Sequence, residues 1–224
     1  MPLLKRKPKS FDIQVQDMTL HISAGGDFTE ESRASALSFW EQLQAYALRD
    51  PEFSTSKRPM ELPESAPPIV REIAAAAAAA GVGPMFGFRG ALADHVGRFL
   101  AGQVHELTVS CQGDFFVVTR KRMKLTAYRG LDGSSLAVVV QPRPSGVGVS
   151  TTGDRRAGAL DGLAVVADSC MLADAAAAAV QAIAAKPDGF KKALTYLQRV
   201  DGVDGGVLIR GSQIGVAGGV EIAA

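Results

Sequence analysis

Two runs of alanine constrain this chain more than any other feature: "IAAAAAAAG" from Ile73 to Gly81 and "ADAAAAAV" from Ala173 to Val180. Alanine is the best intrinsic helix former, and its single methyl lets a second backbone come close. Each run therefore predicts a helix that packs flat on a sheet or on the other helix. The first is expected to stop at Gly81, a C-terminal glycine cap. The second is expected over about Met171 to Ala185. It carries one carboxylate, Asp174, at the head of an apolar segment.

The rest of the chain alternates between strand and helix patterns. "FDIQVQDMTLHISA" switches polarity residue by residue, with Phe11, Ile13 and Val15, then Met18, Leu20 and Ile22, on one face. It predicts a hairpin. Thr29 is placed as the N-cap of a helix that begins at Glu30 and turns Ala36, Phe39, Trp40, Leu43 and Ala47 to one side. "FSTSKRPMELPESAPP" predicts a surface crossing, and "ALADHVGRFLAG" a third helix. Strands are expected at "HELTVSC", "DFFVVTRK", "KLTAYRG" and "SLAVVVQP", and a long loop over "RPSGVGVSTTGDRRAGALDG". "LAVVAD" reads as a short buried strand, "GFKKALTYLQRV" as an amphipathic helix and "GGVLIRGSQIGVAG" as a closing hairpin. No regular βαβ period appears, so the fold class is α+β, with antiparallel sheets packed against the alanine-rich helices.

At 224 residues the chain suits a single domain, 1–224, able to bury a large core. The basic opening, "LLKRKPKSF", predicts a disordered tail over residues 1–10, either simply solvated or in contact with phosphate or RNA. A net charge of +1 gives no ground for a nucleic-acid partner. Cys111 and Cys170 do not make a disulfide framework, and no Cys/His cluster suggests zinc. They read as buried thiols in a reducing compartment. No apolar segment follows the basic start and no run is long enough to span a bilayer, so a cytoplasmic protein without a membrane partner is expected.

Four places hold the chemistry. In "GVGPMFGFRGALAD" the glycines 81, 83, 87 and 90 either make a tight helix-to-helix connection or present amides to an anion. In "CQGDFF", Gly113-Asp114 is a hairpin turn, or Asp114 accepts from a ligand. In "SGVGVSTTGD", Ser150, Thr151, Thr152, Gly153 and Asp154 are a solvated loop or a set of donors for phosphate or a polar ring edge. His21, His95 and His105 lie far from that serine in sequence, so a Ser-His-Asp triad has no support. In "VVADSCMLADAAAAAV", Asp168 and Asp174 are helix caps or metal ligands.

Together, in this order and at this spacing, the four segments resemble the ApbE-like superfamily. The likeness is greatest to its small, uncharacterised branch of cytoplasmic proteins, through "GVGPM", the "QGD" turn, "GVGVSTTGD" and "ADSCMLADAAAAA", and it runs over nearly the whole chain. The resemblance implies an α+β fold with a ligand cleft between lobes, lined by Gly83, Pro84, Met85, Gly90, Asp94, Gly113, Asp114 and Ser150 to Asp154. In the family's FAD-dependent transferases the cleft holds FAD, and a magnesium ion assists attack of an acceptor protein's hydroxyl on the pyrophosphate.

Carried over residue by residue, the metal carboxylate falls on Asp174 and a carbonyl ligand on Ala93. The hydroxyl partner one turn on falls on Ala178, which has none. The transferases' lysine falls on Asp94, and their "HIIDPRTG" segment has no counterpart. At an effective dielectric near 20, a unit charge contact at 4 Å amounts to roughly 4 kcal/mol before screening. This reversal therefore disfavours a pyrophosphate unless Arg89, Arg98 or the basic residues near Lys121 replace the lost charge. The expectation is a small-molecule cleft for a nucleotide-, flavin- or pterin-like ligand in a homo-oligomer, without flavin transfer. The alternatives are a structural homodimer with a vestigial cleft and a magnesium-dependent FMN transferase.

Overall fold

The computed structural model describes residues 8–129, 135–151 and 158–223. Alternation in the N-terminal segment becomes a hairpin: β1 (Lys9–Val15) pairs with β2 (Met18–Ala24), Val15 opposite Met18, so Gln16 and Asp17 turn the chain. Lys9 and Ser10, assigned to the basic tail from sequence, are in fact the first pair of β1, opposite Ala24 and Ser23. The rest of that tail lies outside the described residues.

Four helices follow: α1 (Thr29–Arg49), α2 (Pro51–Thr55), α3 (Pro68–Ala79) and α4 (Phe88–Ala101). Thr29 does not cap α1; it is the first helical residue, and its hydroxyl donates to Asp27 at 2.7 Å. The proline-rich crossing is pinned by α2, whose Phe53 is fully buried. A 3-10 turn over Pro84–Gly87 leads straight into α4, so Phe88, Arg89 and Gly90 belong to the helix and not to a glycine loop.

Strands β3 (Leu107–Cys111), β4 (Asp114–Thr119), β7 (Arg143–Thr151), β8 (Gly162–Ala167), β9 (Val203–Arg210) and β10 (Gln213–Gly218) extend the first hairpin into an eight-stranded sheet, order β1-β2-β3-β4-β7-β8-β9-β10. Strands β5 (Met123–Arg129), β6 (Ser135–Val140) and β11 (Glu221–Ala223) form a second, three-stranded sheet. Helices α5 (Cys170–Ala184) and α6 (Gly189–Leu197) complete the chain. All these pairings are antiparallel, as expected for this α+β chain.

The layers explain the burial. One apolar cluster joins α1, α3 and α4 to β1–β4, and a second joins α5 and α6 to β8–β10. A third fills the opposite face, where Val117, Val147, Val149 and Val166 meet Ala127, Val138 and Val140 of the small sheet. Strands covered on both faces lose their polar alternation, which is why β8, "GLAVVA", is buried at every position.

Strand β7 departs most from expectation, because its sequence predicts a loop. Glycine and serine weaken its strand pattern, yet it lies at the sheet's centre between β4 and β8. Its glycines are needed for clearance. A Cβ on Gly148 would come within 2.1 Å of the Ser169 carbonyl carbon, where α5 begins, and one on Gly146 within 2.5 Å of the Phe116 ring. Helix α5 thus rests its N-terminus directly on the sheet.

Helix α4 approaches just as closely. A Cβ on Gly90 would lie 2.2 Å from the Cys170 carbonyl oxygen, and one on Gly87 2.7 Å from that of Met171. Gly90→Ala is therefore expected to destabilise the protein by about 1–3 kcal/mol, the usual cost of overpacking. Gly102→Ala, with nothing within 4 Å of the added carbon, should shift it by no more than about 0.5 kcal/mol. Urea unfolding of the two variants checks this.

Candidate functional site

The first N–H groups of a helix have no partner within it. In α5 those of Cys170, Met171 and Leu172 are met from outside the ladder. Cys170 N and Met171 N donate to Asp94 Oδ1 and Oδ2, both at 2.9 Å. Leu172 N donates to Ser169 Oγ at 3.2 Å. Asp94 lies in α4 and is fully buried, so one helix caps the other. Asp168, the cap expected from sequence, turns instead to Arg143 at 3.1 Å.

The service is returned. Asp174, in α5, takes Gly90 N of α4 on Oδ2 at 3.1 Å. Its Oδ1 accepts from Arg89 Nη2 at 3.2 Å. The same guanidinium donates through Nε to Asp114 Oδ2 at 3.0 Å, and Ser150 Oγ donates to Asp114 Oδ1 at 2.6 Å. Pairing of β4 with β7 sets Asp114 opposite Ser150. The result is a buried pair of carboxylates bridged by one arginine whose side chain is 37% exposed.

The expected site residues divide accordingly. Asp114, Ser150 and Asp174 are brought together, with Arg89 between them. Thr151 joins them through its N–H and its hydroxyl, both donated to the Gly113 carbonyl, at 2.8 and 3.2 Å. Gln112 and Gly113, both at positive φ, form the turn that Asp114 follows. Gly83 is spent on packing, since a Cβ there would meet the Ser56 carbonyl oxygen at 1.9 Å. Pro84 is buried, and Met85 packs on the first apolar cluster. Asp94 holds both oxygens on α5, and Ala93 is buried inside α4. Thr152, Gly153 and Asp154 lie outside the described residues.

The histidines are elsewhere. His21 pairs with Asp12 at 2.8 Å, His105 with Arg120 at 2.9 Å, and His95 rests against the Phe39 ring. Ser150 is a hydrogen-bond donor to Asp114 and has no catalytic triad around it among the described residues. Cys170 is fully buried, and that burial raises its thiol well above the ordinary range. It is an inert core group.

Charge in the site is tightly held. Burial, and then the neighbouring Asp174 carboxylate, push Asp114 up to about 7 despite the pull of Ser150 and Arg89. Burial likewise carries Asp94 up to about 6, against its two backbone N–H bonds. A carboxyl raised in this way binds its proton more firmly folded than unfolded. Its contribution to stability is full at low pH and is lost as pH rises through the folded value. Melting temperature is therefore expected to fall from about pH 4 to about pH 7, and Asp114→Asn should remove most of the change above about pH 6. Thermal melts of both proteins across that range check it.

Asp94 has a larger structural role. Each buried N–H left unpaired costs about 1–3 kcal/mol. Asp94→Ala should therefore lower the unfolding free energy by about 2 kcal/mol or more, while Asp168→Ala, with a side chain 68% exposed, should change it little. Urea titration separates the two.

Magnesium, which the family resemblance implies, does not suit these residues. It demands near-octahedral coordination by hard oxygens. Ala178 supplies no side-chain oxygen, and a permanent cation already lies 3.2 Å from Asp174 Oδ1. Among the described residues no group of three or more His, Cys, Asp and Glu side chains could hold a metal ion.

Known proteins resemble the chain along its length. The family described as AbpE bacteria matches residues 2–191. A UPF0280 protein of Methanosarcina acetivorans is 29% identical over 212 residues, 91% of this chain and 81% of that protein. A UPF0280 protein of Methanopyrus kandleri is 30% identical over 223 residues, 93% of this chain and 90% of its own. Among solved structures, the apo form of the flavinyl transferase ApbE of Pseudomonas stutzeri superposes with a TM-score of 0.62 at 17% identity, over 97% of this chain and 96% of its own. The flavin transferase ApbE of Vibrio cholerae gives 0.58 at 12% identity, over 94% and 97%. At these identities the structural likeness shows the fold. No single helix among the described residues is long and apolar enough to cross a membrane.

Proposed function

The chain belongs to the family described as AbpE bacteria, and from that premise we propose that it is a small-molecule-binding protein that does not transfer FMN from FAD. The observation that carries this reading is the arginine bridge: Arg89 lies 3.0 Å from Asp114 and 3.2 Å from Asp174. Magnesium-assisted attack on a pyrophosphate needs a metal close to the phosphates to take up developing charge. Here the carboxylate that would hold it is engaged by a guanidinium and a backbone amide, and Ala178 removes the neighbouring hydroxyl.

The same geometry favours a particular ligand. Among the described residues, two buried carboxylates stand against one guanidinium in this part of the site, a poor setting for a pyrophosphate. The guanidinium still offers more N–H donors than Asp114 and Asp174 take up, on a side chain that is 37% exposed. Those donors suit the carbonyl oxygens and ring nitrogens of a flavin- or pterin-like heterocycle. Trp40, the chain's single tryptophan, packs edge-on against Phe88 with centroids 5.9 Å apart, beside Arg89 in sequence. Its fluorescence should therefore respond to binding.

Two measurements test this reading. Incubation with FAD, magnesium and an acceptor protein that an active flavinyl transferase labels should release no AMP above a control without this protein and leave the acceptor unlabelled, as read by chromatography. Riboflavin or a simple pterin should quench Trp40, and less so in Arg89→Met. Magnesium-dependent release of AMP in proportion to the protein would overturn the proposal, and so would a fluorescence signal unmoved by every ring compound offered.

A further inference from the structure

Buried carboxylates that face one another need a cation, a proton or a large energy to stay together. In this chain the cation is covalently attached. Asp114 and Asp174 are 0% and 3% exposed at the side chain, and Arg89 reaches both from the first turn of α4. Each carboxylate gives one oxygen to the guanidinium and the other to a chain donor, Ser150 Oγ for Asp114 and Gly90 N for Asp174. An arginine does not deprotonate in a protein, so this charge is present at every working pH and is independent of metal supply.

We infer that Arg89 is the resident cation of this site, that it keeps divalent metal ions out, and that the pair Asp114 and Asp174 becomes a divalent-cation site once the guanidinium is removed. The inference rests on the reading that this is not a magnesium-dependent transferase site. Three features support it. The two acids come from different elements, β4 and α5, and each has a contact besides Arg89, Ser150 Oγ for Asp114 and Gly90 N for Asp174. Two of their other contacts, the Ser150 hydroxyl on Asp114 and the Gly90 amide on Asp174, are fixed by the β4–β7 pairing and by the α4 backbone. Removing the guanidinium while keeping the length of the stem leaves the carboxylate oxygens that it bridged, Asp114 Oδ2 and Asp174 Oδ1, as two hard-oxygen ligands. That combination suits manganese or magnesium with water completing the shell.

The test uses manganese alone, followed by loss of the free-ion electron paramagnetic resonance signal at pH 8. Wild-type protein is expected to take up none at 1 mM ion. Arg89→Met should bind one ion per chain at least tenfold more tightly than wild type, and Arg89→Met combined with Asp174→Asn should lose that gain. Arg89→Lys, which keeps a charge, should remain insensitive to manganese. A wild type that binds manganese through Asp174, shown by loss in Asp174→Asn alone, overturns the inference. So does an Arg89→Met protein with native circular dichroism that ignores the ion. Should Arg89→Met not fold, the wild-type and Arg89→Lys titrations decide, and binding by either refutes it. Manganese binding by the wild type without FAD cleavage would refute this inference and leave the proposed function standing, whereas FAD cleavage refutes that function directly.

Discussion

Two helices that begin side by side, each capped by a carboxylate of the other, hold this molecule together. Asp94 of α4 satisfies Cys170 and Met171, and Asp174 of α5 satisfies Gly90. Helix N-termini carry partial positive charge and repel one another when brought close. An acid delivered to each end from the opposite helix turns that repulsion into attachment. The rest of the architecture serves this contact. Gly87, Gly90 and Gly148 clear space for it, the alanines of α5 keep the helix slim against its neighbours, and β7 carries the α5 terminus on the sheet.

The site's charge follows from the same contact. Once Asp174 is committed to α4, its second oxygen lies where Arg89, one residue ahead of Gly90, can reach it. Asp114 enters from the sheet and is held by the same guanidinium, with Ser150 closing its far side. What the family resemblance suggests as half of a metal site is, in this chain, part of a network of carboxylates, arginine and backbone amides. Among the described residues its exposed member is Arg89.

Much of this was legible in the sequence, for identifiable reasons. Helices with strong alanine content, the β1–β2 hairpin and the apolar β8 follow from local pattern alone, because their periodicity and burial agree. Strand β7 was not legible as a strand. Its glycines answer to a helix terminus far along the chain, and local propensity contains no trace of that demand. Asp94 reads as a charge reversal beside phosphates when placed by resemblance, yet its role is to cap α5. The available signal was the repeated Leu-Ala-Asp, at Leu92 to Asp94 and at Leu172 to Asp174. Two like acids near the starts of two apolar helices point to exchange between them, but only once the helices are known to be neighbours.

Amide hydrogen exchange tests the exchanged caps most directly. First-turn amides of an exposed helix exchange fast, because no intrahelical bond protects them. In this protein the amides of Cys170, Met171 and Gly90 should exchange only by global unfolding, as slowly as the central amides of β8. Fast exchange at these three positions in a folded protein, with β8 still protected, would contradict the account.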